Sequence, residues 1–403
     1  MREGRCNPMQ YETLLNRTLV EMKPSGIRRF FDLAHEMEDV ISLSVGEPDF
    51  STPWHIREVG IKTLGRGKTW YSPNAGFIEL RSAIARYLQR RFRVSYDPKT
   101  EVLVTVGGSE AIDLCMRSLI NPGDEVLVPS PSFVCYSPLA AMAGGVPVPL
   151  ETKAEDHFRL TAETLKAAIT PKTKLLILPF PNNPTGAVLR RRHMEELAEV
   201  LRGTDIFVLS DEIYSELTYH DEGPTSFASI DGMQERTLLV SGFSKAYAMT
   251  GWRLGYVCGP SAVMSQIVKL HQYGIMSAPT TAQYAAIEAM DNGDDDVVAM
   301  RDDYNQRRRL IVDELNRMGL TCFDPLGAFY VFPSIQITGM TSEEFCVTLL
   351  KEKHVAVVPG TAFGDCGEGF VRISYCYSIK HIVEAMRRMR EFLTERGFLK
   401  EGE

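Results

Sequence analysis

The chain has 403 residues, with 44 Lys+Arg against 52 Asp+Glu and a formal net charge of −8; hydrophobic residues make up 44% and charged ones 24%. That is an ordinary globular composition. At roughly 100–200 residues per domain it allows two or three domains, or one large α/β unit with an appendage, and it needs no disulfide or metal staple. The mild acidity argues against nucleic-acid binding. The short basic clusters Arg190–Arg192 and Arg307–Arg309 sit beside acidic residues and read as solvated helix faces. No apolar run approaches the roughly 18 residues of a membrane span. The start, Met1-Arg2-Glu3-Gly4-Arg5, leads into no apolar stretch, so a cytoplasmic protein that touches no membrane is expected. Eight cysteines show no CxxC spacing and the histidines no HExxH, so neither disulfides nor a metal site are expected.

In chain order, helix signals come first, around Gly26–Glu36. From about residue 100 to 260 strands alternate with helices. Glu101-Val-Leu-Val-Thr-Val106 is followed by Gly107-Gly108 and a helix over Ser109–Leu119. Asp124–Val128 is halted at Pro129 and Pro131. Lys174–Leu178 runs into Pro179-Phe-Pro-Asn-Asn-Pro-Thr-Gly186 and the helix His193–Leu201. Ile206–Leu209 and Thr237–Val240 complete the set. Strands apolar on both faces and alternating with helices predict a mostly parallel sheet covered by helices, with ligands at the strands' carboxyl ends. The last hundred residues predict an α+β unit. A helix near Asp302–Met318 precedes a strand at Gly327–Phe332 and a helix at Ser342–Lys351; strands at Val355–Val358 and Phe370–Tyr375 and a helix at Ile382–Arg396 follow.

Three polar groups fall at strand ends. Lys245 lies in Ser241-Gly-Phe-Ser-Lys-Ala-Tyr-Ala-Met-Thr-Gly-Trp-Arg253, a small, apolar tract unlike a solvated loop, and a desolvated lysine is a carbonyl nucleophile. Gly107-Gly-Ser-Glu-Ala111 offers a helix start to a phosphate. Asp211, in Ser-Asp-Glu-Ile-Tyr214, is a helix cap or a buried carboxylate that needs a cation. Nucleophile, phosphate cradle and carboxylate together match the aldehyde, phosphate and ring nitrogen of pyridoxal phosphate.

With these motifs the sequence resembles a fold-type I pyridoxal-phosphate aminotransferase of class I/II, gamma subgroup, closest to those acting on aromatic or N-acetyl-diaminopimelate-type substrates. The likeness runs from Ser44-Val-Gly-Glu-Pro-Asp-Phe50 through Tyr71-Ser-Pro-Asn-Ala-Gly76, Gly107–Ala111, Pro181-Asn-Asn-Pro-Thr-Gly186, Ser210–Tyr214 and Gly242–Gly255 to Val371-Arg-Ile-Ser-Tyr375. It implies a large cofactor domain over 46–295 and a small α+β domain from 1–45 and 296–403. Lys245 would carry the internal aldimine and move the catalytic proton. Asp211 would hold the ring nitrogen protonated, Asn183 and Tyr214 would meet the ring's phenolic oxygen, and Phe133 would stack on the ring. Gly108, Ser109, Ser244 and Arg253 would hold the phosphate, joined by Tyr71 from the other subunit of a homodimer. Arg372 and the Gly46 backbone would receive the substrate carboxylate, beside Asn183. The resemblance also implies cis bonds before Pro184 and Pro131. One departure is Gly242, where many relatives carry a phosphate-binding Ser; Ser241 or Ser244 would substitute. The expected reaction moves the amino group of an L-amino acid to a 2-oxo acid such as 2-oxoglutarate. Alternatives on the same scaffold are a carbon–sulfur β-lyase, an aminocyclopropane-carboxylate synthase, or a non-catalytic cofactor module as in fused transcription regulators.

Overall fold

The computed structural model describes residues 11–22, 24, 26 and 37–399; the helix signals at 27–36 lie outside them. Seven strands form the central sheet: β2 (Val102–Thr105), β3 (Glu125–Ser130), β4 (Val146–Glu151), β5 (Thr173–Leu178), β6 (Phe207–Asp211), β7 (Thr237–Gly242) and β8 (Gly255–Cys258). They lie in the order β2-β8-β7-β6-β5-β3-β4. Only β8 runs against the rest. Successive residues go to opposite faces, as the pleat requires. Val126, Val128, Leu175 and Ile177 pack on one side with helices Gly108–Leu119 and Ser261–Gly274, while Leu127, Leu176 and Leu178 pack on the other with helix Arg191–Leu201. Each such fully buried side chain contributes about 1.5–3 kcal/mol.

Two strands escape the sequence reading. β4 carries Pro147 and Pro149 yet pairs with β3 at the sheet's edge, where only one side of a strand needs its N–H groups. β8 follows β7 through a short connection and reverses direction. β3 also continues through Pro129 to Ser130, because its ladder to β5 has ended at Leu127 and the missing donor leaves no gap there.

β1 (Ile41–Ser42) pairs in parallel with β10 (Val355–Ala356). β9 (Tyr330–Val331), β11 (Val358–Pro359) and β12 (Val371–Ser374) form an antiparallel sheet in the order β11-β12-β9. Leu43 joins the core formed by helices Asp294–Arg317, Ser342–Lys353 and Ile379–Glu395. The middle of these is fixed at its start by a capping box between Thr341 and Glu344. The basic cluster at Arg307–Arg309 is not a solvated face: Arg307 and Arg308 are buried, Arg307 against Asp49 and Asp303 and Arg308 against Asp324. Cis peptide bonds precede Pro131, Pro181 and Pro184. The first and last of these were expected.

Candidate active site

Because β8 alone is reversed, β2, β3, β5, β6 and β7 all deliver their carboxyl ends to one edge of the sheet. A cavity of about 400 Å3 opens there. Eleven of the twelve residues singled out from the sequence line it: Gly46, Gly108, Ser109, Phe133, Asn183, Asp211, Tyr214, Ser244, Lys245, Arg253 and Arg372. The twelfth, Tyr71, is 78% exposed and stands elsewhere on the chain's surface.

Lys245 leaves the end of β7 with its Nζ donating to the Gly46 carbonyl at 2.6 Å, and 5.8 and 5.6 Å from the Tyr214 and Phe329 ring centres. Burial lowers its pKa to about 8, and Arg372 and Arg253 push the same way against Cys376 and Glu47. Near neutral pH a useful fraction is therefore the nucleophilic free amine. A side chain on Gly46 would place its Cβ 1.9 Å from the Tyr330 hydroxyl, so only glycine brings that carbonyl within reach.

Asp211 ends β6, buried. Its Oδ2 accepts from the Tyr136 hydroxyl at 2.7 Å and its Oδ1 from the Ile213 N–H at 3.2 Å. Burial raises its pKa, which these two donors partly offset. Among the described residues no cation pairs with it, so the chain leaves a carboxylate that calls for a positive group from the cavity.

Arg372, on β12, has the opposite character. It is 3% exposed, its two terminal nitrogens donate to Asn183 Oδ1 (2.9 Å) and to the Ser44 carbonyl, and its Nε has no partner. Its guanidinium lies 4.7 Å from the Tyr330 ring centre and 4.8 Å from that of Phe363. Among the described residues no carboxylate answers it, which suits a fork for an anionic ligand.

At the far end, Gly107 takes a left-handed φ of +81° before helix Gly108–Leu119, and an added Cβ would lie 2.7 Å from the Arg253 guanidinium. Arg253, itself at φ +51°, donates to the Thr250 carbonyl. Gly255 lies so close to the turn that its Cβ would approach Gly108 N to 2.7 Å. A helix start, the Ser109 and Ser244 side chains and the Arg253 guanidinium thus line one cavity, donors of the kind a phosphate takes. Gly242 is backed by Gly255 Cα and Leu254 O, each 3.0 Å from where its Cβ would be, and Ser241 donates to the Glu212 carbonyl. Of the two serines offered as substitutes, only Ser244 lines the cavity.

Sequence reasoning missed Tyr136 and Tyr330. Tyr136 holds Asp211; Tyr330 donates to or accepts from Tyr214 at 2.9 Å and covers Arg372. Neither sits in a motif with a chemical signature. Glu47 and Thr250, hydrogen-bonded to each other at the cavity rim, were also missed.

Fold and cavity define an aminotransferase of the α/β type. The chain belongs to the family "Aminotransferase class I and II", which it matches over residues 38–389. It is 47% identical to an aspartate aminotransferase of Pyrococcus abyssi (93% of this chain, 97% of that one) and 45% identical to aromatic-amino-acid aminotransferase 2 of Thermococcus litoralis (95% and 99%). The crystal structure of the aromatic aminotransferase from Pyrococcus horikoshii OT3 superposes with a TM-score of 0.88 at 46% identity, covering 93% of this chain and 100% of that one. Members of the family use pyridoxal phosphate. The residues present fit that group: an unpaired buried carboxylate for its ring nitrogen, a desolvated amine for its aldehyde and an anion cradle for its phosphate. The protein is thus an enzyme, an aminotransferase of fold type I.

Proposed function

We propose that this enzyme passes the amino group of an L-amino acid, aromatic or N-acetyl-diaminopimelate-like, to a 2-oxo acid such as 2-oxoglutarate. The single observation that carries this reading is Arg372, a buried guanidinium with no carboxylate partner among the described residues, lining one cavity with Lys245 and Asp211. The bound cofactor supplies an electron sink for the substrate's α-carbon. Lys245 would hold that group by its aldehyde carbon, and its Nζ, once freed, would take the proton from the substrate's α-carbon and return it to that aldehyde carbon. Asp211, oriented by Tyr136, would keep the ring nitrogen protonated. Asn183 and Tyr214 would meet the phenolic oxygen, Phe133 would face the ring, and Gly108, Ser109, Ser244 and Arg253 would take the phosphate. Arg372, with the Gly46 backbone and Asn183, orients the substrate carboxylate. The relatives named above are aminotransferases and give the lyase alternative no support.

The unit of action in this reading is a homodimer. Its support is the exposure of the large aromatic side chains Trp54, Trp70, Tyr71 and Tyr273; in this reading Tyr71 would reach the phosphate end of the second copy's site. The division into 46–295 and 1–45 with 296–403 is supported by the β1–β10 pairing, which ties the beginning of the chain to its end. No described helix is long and apolar enough to cross a membrane, and the seven described cysteines are free, which fits a reducing cytoplasm. A panel of amino donors with 2-oxoglutarate as acceptor, scored by kcat/KM, tests the assignment. Release of pyruvate and ammonia from cystathionine without amino transfer would replace it with the lyase.

A further inference from the structure

After the Pro181–Gly186 loop the chain runs through Ala187 and Val188 into helix Arg191–Leu201. A cleft of about 340 Å3 lies there, lined by Phe323 and Leu326, by Arg159, Arg190, Arg192, His157 and His193, and by one carboxylate, Asp324. Its hydrogen bonds do not balance. The Arg159 guanidinium donates to His193 Nε2 at 2.5 Å, Arg192 Nε donates to the same atom at 3.1 Å, and the Arg190 backbone N–H donates to Nδ1 at 3.1 Å. A neutral imidazole accepts at one nitrogen only, and a protonated one at none. Three donors therefore converge on at most one lone pair. Burial, Arg159 and Arg192 hold His193 in its neutral form, with a pKa lowered to about 4.

The acids nearby do not correct the excess. Arg190 is taken up by Glu222 at 2.8 Å, and Asp324 is taken up by Arg308. Among the described residues neither Arg159 nor Arg192 forms an ion pair with any carboxylate. An adjoining recess shares Arg159, Arg192 and His193 but adds Glu163 and Glu196, whereas the one carboxylate of the first cleft, Asp324, is paired with Arg308, so the first cleft is the more favourable to an anion.

We propose that this cleft is a second, non-catalytic binding site for a small phosphate-type oxyanion, gripped between the Arg159 and Arg192 guanidinium groups beside His193. A tetrahedral dianion presents acceptors in several directions and satisfies two forks at once, where a single carboxylate faces only one. The ligand would brace the start of helix Arg191–Leu201 against Phe323–Leu326, the segment leading to Tyr330 of the active-site cavity. The reading is independent of the amino donor, since none of these side chains lines that cavity.

The experiment is calorimetric titration of the cofactor-loaded enzyme with inorganic phosphate at constant ionic strength, chloride being the reference salt. Loading the cofactor keeps phosphate out of its cradle. Saturable binding is expected, weakened about tenfold or more by Arg192→Gln and by Arg159→Gln, with transamination kinetics retained. Arg192 is exposed, so its variant decides the matter if Arg159→Gln fails to fold. Glycerol 3-phosphate in a parallel arm separates free phosphate from a phosphate monoester as the preferred form. Absence of saturable heat, equal heat with chloride or succinate, or unchanged affinity in Arg192→Gln would each overturn the proposal.

Discussion

Arg307 and Arg372 are both buried, and both lie against aromatic rings: Arg307 against Phe50 and Tyr304, Arg372 against Tyr330 and Phe363. Their company differs. Arg307 donates to both oxygens of Asp49 at 2.8 Å and to Asp303, whereas Arg372 meets only an amide oxygen and a backbone carbonyl. A buried charge that the fold itself neutralises braces the chain; Arg307 fixes the segment that delivers Gly46. A buried charge left unneutralised costs several kcal/mol of desolvation and is retained where a ligand brings the counter-charge. Lys245, Asp211 and Arg372 are all of the second kind, and all face one cavity.

The contrast is open to test, beginning with the largest effect. Lys245→Ala is expected to abolish the visible absorbance of the loaded enzyme and to lower turnover by about 10^4-fold or more; turnover near wild type would remove Lys245 from the reaction. Asp211→Asn should bind cofactor yet lose about 10^2–10^3-fold in kcat, read by steady-state kinetics. Arg372→Gln should lower kcat/KM for amino donors by about 30- to 1,000-fold, equivalent to about 2–4 kcal/mol, while leaving the melting temperature unchanged or higher. Arg307→Gln should do the reverse. It strands Asp49 and should cost about 1–3 kcal/mol of stability, a range discounted because Asp49 keeps 27% of its side chain exposed. Equal destabilisation by the two arginine variants would erase the distinction.

The smallest effect concerns pH. In its proposed role Lys245 reacts as the free amine, so the rate at which the cofactor-free protein takes up pyridoxal phosphate should rise with pH and level off above about 8. A half-point near the ordinary lysine value would show that burial does not lower it. Since Arg372 is one of the cations holding Lys245 down, Arg372→Gln should move the half-point upward, by less than about one pH unit.

The parts of the site legible in the sequence are those whose role is tied to a strand end: Lys245 after β7, Asp211 closing β6, the Gly107 turn after β2. There a short apolar run, a turn residue and a charged side chain stand within a few positions, and the parallel sheet carries them to one edge. Tyr136 and Tyr330 were not legible because an aromatic residue inside a helix or a strand has core packing as its default, and their hydroxyl contacts arise only when distant segments meet. The prolines of β4 hid a strand that an edge position tolerates. Arg307 and Arg308 were misread for a related reason: charge patterning cannot reveal that Asp49 and Asp324 arrive from elsewhere in the chain to cover them.

The Gly46 carbonyl that holds Lys245 lies 199 residues from it, and Arg372 reaches Asn183 and Ser44 across 189 and 328 residues. Contacts of such sequence separation close last, once local helices and neighbouring strands have formed. A polypeptide lacking its final strands, or one whose two ends have not yet met, would retain much of the central sheet but neither the carboxylate fork nor the carbonyl that positions the amine. The cavity around Lys245 is thus closed by contacts between the two ends of the chain and its middle, and shortening either end should open it before it disrupts the central sheet.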